Sequence, residues 1–523
     1  NNFVDEYDFI TDTAVSLDGD GMDNDASDPG DDPNGQFSSF HGTHVIGTIA
    51  AITDNSIGVS GVASRANQLN SVKIMPLRAL GAGGGTTYDI AQAVLYAAGL
   101  SNGSGTLPAP RADILNMSLG APSDSTTLRN AINSAFSAGV LIIASAGNAG
   151  TSTAYYPAAY ENVISVSAVG PGGELAPYSS FGGTVDISAP GGEISIDITF
   201  DGYADGVLST LFDQNGSIYT PKYSFYQGTS MAAPHVAGVA ALLKAADGSL
   251  NNTELRTTLL NKAIDIGPGG YDIFYGYGLV NAYNAVIEAK GFTDSAFHSP
   301  VLYPFPRALK FSETDPSPKS FTLKNIGGTG SIIIDSISEA NDTKNLVTNI
   351  DPTLGQLSES EDLVVEITLN TSGLEDGRTH YARLKIEYDD FTKTEYVYII
   401  YNRDGFTGVF ENEDIGTVFV VAYDPATFTP VAQAITTFNQ SYMYTIQGLQ
   451  AGNYIVIAGT DRDNDLLICD DGEACGYYPV VGYPVTIEVG EGSNVAGIDF
   501  QVSDGAVTEP DCLGVTRKYV LQE

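Results

Sequence analysis

The chain has 523 residues, with 23 lysine and arginine side chains against 63 aspartate and glutamate, a net charge of −40. That surplus of carboxylates repels polyphosphates and anionic lipid surfaces, which argues against nucleic acid or a membrane surface as a partner, and no apolar run reaches the ~18 residues that would span a bilayer. At roughly 150 residues per domain the length suggests three domains.

The opening stretch, NNFVDEYDFITDTAVSLDGDGMDNDASDPGDDPNGQ, is rich in aspartate, and its cluster from Asp18 to Asp25 offers oxygen ligands to a hard cation such as calcium. HGTHVIGTIAAI, 41–52, places two histidines three residues apart at the start of a small-residue helix. Further along, TYDIAQAVLYAAGL (87–100) and STTLRNAINSAFSAG (125–139) carry helical periodicity. They alternate with short apolar strands: ILNMSLG (114–120), VLIIASAGNAG (140–150), VISVSAV (163–169) and VDISAP (185–190). This alternation predicts an α/β domain, a parallel sheet with helices on both faces.

YQGTSMAAPHVAGVAALL, 226–243, is the most informative segment. Ser230 follows the turn-forming Gly228-Thr229 and precedes a run of small and apolar residues, the arrangement that sets a nucleophile at the N-terminal end of a buried helix. Pro234 is expected in the first turn, where its missing N–H costs nothing. Serine is a poor nucleophile near neutral pH without a base. Of five histidines in the chain, His41 and His44 lie in one motif and His235 lies beside Ser230. His44 and His235 are read as structural, because each falls a few residues into its helix.

Together, HGTHVIGTIAAI, ILNMSLG, VLIIASAGNAG and YQGTSMAAPHVAGVAALL resemble the subtilisin-like serine proteases over roughly residues 1–290, with the motifs in the family's order. The resemblance implies His41 as general base, Ser230 as nucleophile and Asn148 as side-chain donor to the oxyanion, assisted by the Ser230 N–H. It implies that Ser118, Leu119 and Gly120 pair with substrate backbone as an added strand, faced by Gly83, Gly84 and Gly85. Tyr155 falls near the family's primary pocket and is expected to narrow it. TDNSIGV, 53–59, resembles the family's calcium loop, with Asn55 giving a side-chain ligand and Thr53, Ile57 and Val59 giving carbonyls to a structural Ca2+. The helix closing this domain is expected within YGYGLVNAYNAVIEAKG, 275–291.

The family's acid precedes its histidine, at the end of a hydrophobic strand reading Asp-Ser/Thr-Gly. Asp12-Thr13-Ala14 imitates that motif without the apolar run before it, so Asp12 is a weak candidate and the acid is expected upstream of Asn1, on a segment that could be cleaved and remain docked. Two functions follow: a secreted endopeptidase acting on polypeptide substrates, or an extracellular structural or assembly protein on an impaired protease scaffold.

Beyond the 1–291 peptidase domain, HSPVLYPFPR holds three prolines, and 292–307 reads as a linker. From 308 to 402 the pattern alternates with period two, as in SIIIDSISEA and DLVVEITLNTSG, and predicts an all-β sandwich that resembles bacterial immunoglobulin-like modules. A second sandwich, 403–503, resembles carboxypeptidase regulatory-like domains, and 504–523 is a tail. Edge strands of these modules offer a route to self-assembly. Cys469 and Cys475 bracket a loop short enough for a disulfide, Cys512 is left over, and Asp461, Asp463 and Asp465 form a second acidic cluster.

Overall fold

The computed structural model describes residues 3–402 apart from 34–37, 65–71, 195–196, 199–202, 216–217, 292–299, 313–314, 328–329, 341–345, 359–360, 373, 375–378 and 390. After residue 402 it describes Ile446 and the strands between 418 and 520. Cys469, Cys512 and the Asp461–Asp465 cluster lie outside the described residues.

The centre of the first domain is a parallel sheet of four strands, Ile114–Met117, Leu141–Ser145, Val163–Val169 and Ile187–Pro190, paired in that order. Every residue of Leu141–Ser145 and Val163–Val169 is buried, as a strand covered on both faces requires. Successive side chains sort to opposite layers. Leu141 and Ile143 pack against Ala233, Val236, Ala240 and Leu243 of the helix Thr229–Ala246, whereas Ile142 and Ala144 pack against Ala91, Val94, Leu128 and Ile132 of the helices Thr87–Ala97 and Thr126–Ser137. The helix Asn252–Asn261 begins with a capping box, in which the Asn251 side chain accepts from Thr253 and Glu254 N–H while the Asn251 N–H donates to Glu254 Oε2 at 2.8 Å. The closing helix is Ala282–Lys290.

A second layer of order, not anticipated from the sequence, is the antiparallel hairpin Val207–Asn215 and Ile218–Tyr226. It leads into the Ser230 helix and grips the helix His41–Ala50, where a Cβ on Gly47 would lie 2.2 Å from Thr210 Oγ1 and 2.4 Å from Ser209 Oγ. Only glycine permits that approach.

The residues after the first domain form a β-sandwich. One sheet runs Ala308–Ser312, Lys393–Asn402, Thr379–Tyr388, Ile332–Glu339 and Gly355–Leu357; the other runs Val347–Asp351, Asp362–Leu369, Lys319–Asn325 and Leu302–Phe305. Phe321, Leu323, Val365 and Ile367 of the second sheet meet Ile334, Leu384, Val397 and Ile399 of the first in one core. Part of the expected linker is therefore strand: Leu302–Phe305 is an edge strand of this sandwich, with Leu302 buried. Prolines are tolerated there because an edge strand leaves one side of its backbone unpaired. Further on, Val418–Tyr423 pairs with Pro430–Thr436 and Gly452–Thr460, and Gly452–Thr460 also pairs with Cys475–Tyr477 and Ile487–Val489.

Candidate active site

Ser230 is the second residue of the Thr229–Ala246 helix, entered through Gly228 at φ 147° and ψ 159°. A side chain at that φ is strained, and a Cβ there would also lie 3.4 Å from Asn148 Nδ2. Pro234 is not in the first turn, as expected from the sequence, but is the sixth helical residue. Lacking an N–H, it cannot serve the carbonyl four residues back, which is that of Ser230. The Ser118 hydroxyl takes over this role, donating to the Ser230 carbonyl at 2.7 Å, and the Ser230 hydroxyl donates to the Ser118 carbonyl at 3.4 Å.

Asn148 follows the strand Leu141–Ser145. Its Oδ1 accepts from Thr229 N–H at 2.9 Å and from Thr229 Oγ1 at 2.8 Å. Because Oδ1 is fixed as the acceptor, Nδ2 is left as a donor. Thr229 was not singled out from the sequence, since a threonine at a helix start reads as an ordinary cap. Leu119, Gly120, Ser145, Gly147, Asn148, Ala149, Tyr155, Thr229 and Ser230 line one cavity of about 300 Å³. Three of the residues assigned to substrate binding or the oxyanion, Leu119, Gly120 and Asn148, thus share a cavity with Ser230, and Ser118 is bonded to it. The Tyr155 ring lies over Gly147, whose added Cβ would come 2.8 Å from it. Gly83 and Gly84, at φ 78° and 111°, form a turn closed by the Gly81–Gly84 bridge, and Gly85 fits against the Ala79 carbonyl.

His41 opens its helix after Phe40, which is buried edge-on to Phe212 and Tyr219 of the hairpin. Burial holds the His41 imidazole below its ordinary pKa, and the negative charge of Asp31 acts the other way. Asp31 is held by Ser39, accepting from its N–H and its hydroxyl at 2.6 Å each. Among the described residues no carboxylate hydrogen-bonds the His41 ring. Asp12 is corrected as a candidate acid: its carboxylate accepts the Ala14 N–H at 2.9 Å as the cap of the short helix Thr13–Ser16 and is exposed. A short polar side chain before a helix does this commonly.

His44 is fully buried, stacks on Tyr226 at 4.5 Å and donates from Nε2 to the Ser224 carbonyl at 3.0 Å. Burial pushes its pKa down to about 4, so it is neutral at pH 7. It joins the His41 helix to the run leading into Ser230. The His235 ring bonds the Met231 carbonyl of its own helix at 2.8 Å.

Three carboxylates of the acidic cluster bond groups of their own fold. Asp18 takes the Ser16 hydroxyl and pairs with Arg78, while Asp23 and Asp25 accept N–H groups two residues ahead. Among the described residues no three carboxylate, histidine or cysteine side chains are grouped to hold a metal.

Residues 10–278, just over half of the chain, match the model of the subtilase family. The chain is 40% identical over 300 residues to the extracellular protease of Xanthomonas campestris pv. campestris, covering 55% of this chain and 48% of that protein. It is 42% identical over 255 residues to subtilisin BL of Lederbergia lenta, covering 49% and 80%. A solved protease structure from Pseudoalteromonas arctica aligns with a TM-score of 0.50 at 40% identity, covering 55% of this chain and 84% of that one. The chain spans about half the length of the Xanthomonas protein and of a thermophilic serine proteinase from a Bacillus species, 52% in the latter case. The match, the parallel sheet and the Ser230–Asn148 cavity agree, and the chain belongs to the subtilase family.

Proposed function

We propose that this chain is a secreted serine endopeptidase acting through an acyl-enzyme at Ser230. The observation that carries the proposal is the Asn148 amide, tied down through Oδ1 by Thr229 and left with Nδ2 to donate beside the Ser230 cavity. Ser230 Oγ attacks the substrate carbonyl carbon while His41 takes its proton. The carbonyl oxygen becomes an oxyanion, met by Asn148 Nδ2 and the Ser230 N–H. His41 then gives the proton to the departing amine, and water repeats the sequence on the acyl group. Substrate backbone pairs with Ser118, Leu119 and Gly120, with Gly83, Gly84 and Gly85 on the other side. A fluorophosphonate should label Ser230, as mapped by peptide mass; an unlabelled Ser230 in folded protein would sink the reading.

Tyr155 restricts the cavity to small side chains at the residue preceding the scissile bond. Tyr155→Gly should raise the kcat/KM ratio for phenylalanine over alanine at that residue by about tenfold or more, since each methylene accommodated in such a pocket is worth about 10-fold or more. An unchanged ratio would remove Tyr155 from specificity.

A structural Ca2+ fits the loop from Thr53 to Val59. The Asn55 amide and the Thr53, Ile57 and Val59 carbonyls are the hard oxygen donors this cation takes, as a partial set of its six to eight. Asp54, Ser56 and Gly58, at φ 57°, 60° and 59°, curl the backbone there. Asn55 Oδ1 accepts the Ile57 N–H at 3.0 Å and retains a second lone pair. Bound there, the ion would brace the loop and take no part in bond cleavage. Chelation with EGTA should lower the melting temperature, and Asn55→Ala should blunt that response; an equal response in the variant would move the ion elsewhere.

A further inference from the structure

The β-sandwich starting at Leu302 is packed onto the peptidase domain. Phe305 lies edge-on to Tyr275 at 6.2 Å, and with Tyr303 and Ile326 it covers Val169, Ile264 and Ile266. Arg307 N–H donates to the Gly172 carbonyl at 2.6 Å, and Asn284 Nδ2 donates to the Ile326 carbonyl at 2.7 Å. A Cβ on Gly172 would stand 3.1 Å from that of Ala308. Ala308 and Ile198, each 1% exposed, pack together with Ile400 across the boundary. Lys310 pairs with Glu174 at 3.6 Å.

Two routes lead from this interface to the nucleophile. The turn bearing Gly172 and Glu174 returns along the strand Val163–Val169, with Ala176 N–H bonded to the Ala168 carbonyl at 2.9 Å, and continues into Tyr178. The Tyr178 hydroxyl donates to the Gly192 carbonyl at 2.6 Å and accepts the Gly228 N–H at 3.0 Å. The second route runs through Ile198. Its N–H donates to Asp205, whose backbone is bridged to Glu193, and the neighbouring Ile194 N–H donates to Gln227 Oε1 at 2.8 Å. Both routes end on Gln227-Gly228, directly before Thr229-Ser230.

We propose that the sandwich is an intramolecular buttress of the catalytic turn: docked against Gly172 and Ile198, it fixes Gly228 through Tyr178 and Gln227 and so holds Ser230 where it reacts. Tyr178 and Gln227 are positioning residues, which touch neither substrate nor the reacting atoms. The partner surface is apolar, with the Lys310–Glu174 pair at its rim, and its occupant is the chain's own module. The proposal rests on Ser230 as the nucleophile.

The test uses the full chain carrying Ala308→Asp, with Ile198→Ala as the milder second variant and Val364→Asp, 56% exposed on the sandwich, as control. Amide exchange over 226–231 and 303–310 is followed by mass spectrometry beside the rate of Ser230 phosphonylation. Both interface variants should speed exchange at 226–231 and slow phosphonylation by about tenfold or more, the scale expected when a reacting group is displaced by less than about an ångström. The control should change neither. Tyr178→Phe should slow phosphonylation with exchange at 303–310 unchanged. If the interface variants loosen 303–310 while 226–231 and the labelling rate stay as in the parent, the buttress is overturned. A parent chain that takes no label counts against the nucleophile reading, and exchange at 226–231 then decides the buttress by itself.

Discussion

With the triad acid in place on His41, Ser230→Ala is expected to end fluorophosphonate labelling and to reduce peptide hydrolysis on the order of 10⁶-fold in kcat, the magnitude established for subtilisin itself. The hydroxyl is the only atom lost, and the remaining cavity of Asn148, Thr229, Leu119 and Gly120 stays lined as before. His41→Ala should match it closely, and the double variant should be little worse, because a nucleophile without its base and a base without its nucleophile fail at the same step. KM should move little in either, since neither side chain pairs with substrate backbone. Hydrolysis that survives in Ser230→Ala at more than about a hundredth of the parent rate would show a different nucleophile, given the size of the loss expected.

Arg78→Ala should strongly destabilise the first domain. Arg78, 8% exposed, bonds the carboxylate of Asp8, which is 0% exposed, and also Asp18 at 2.8 Å and the Ser16 carbonyl. Burial pushes the Asp8 carboxyl up to about 6, with the Ile10 N–H and then the Arg78 charge drawing it back down. Without the guanidinium an uncompensated charge remains inside, at a cost of about 3–5 kcal/mol. Urea unfolding should show this as a lower midpoint. Asp8→Asn in the same chain should recover part of the loss, because the orphaned charge is gone. An unfolding free energy within about 0.5 kcal/mol of the parent, the range of an ordinary surface change, would mean that the two carboxylates are solvated after all.

The elements that were legible in the sequence are those whose burial has a period. Leu141–Ser145 and Val163–Val169 are apolar throughout because both faces are covered, and Thr126–Ser137 shows its inner stripe at Leu128, Ala131, Ile132 and Ala135. Asn148 stood out because it follows the end of such a run, and Ser230 because it opens one. The hairpin Val207–Tyr226 was not, since its second strand is largely exposed and gives no continuous apolar signal. The strand Leu302–Phe305 was hidden by its prolines, whose meaning depends on whether a strand lies at an edge. Asp12 imitates the acid's motif because an N-cap and a catalytic acid use the same side chain; the missing apolar run before it marked it as a weak candidate, and its exposure agrees.

The hairpin also bears on the order in which the molecule can be made. His44 and Ser224 are 180 positions apart, Tyr226 and the Ser39 carbonyl 187, Gln214 and the Pro29 carbonyl 185. Contacts that close loops of this length carry their entropic cost before any return, so they belong to the late stages of folding. Until then His41 and Ser230 sit on separate, unjoined pieces. On the function proposed above, a nascent chain is therefore spared from its own cutting edge, which comes into being only after the segments it would attack have been tucked into the fold.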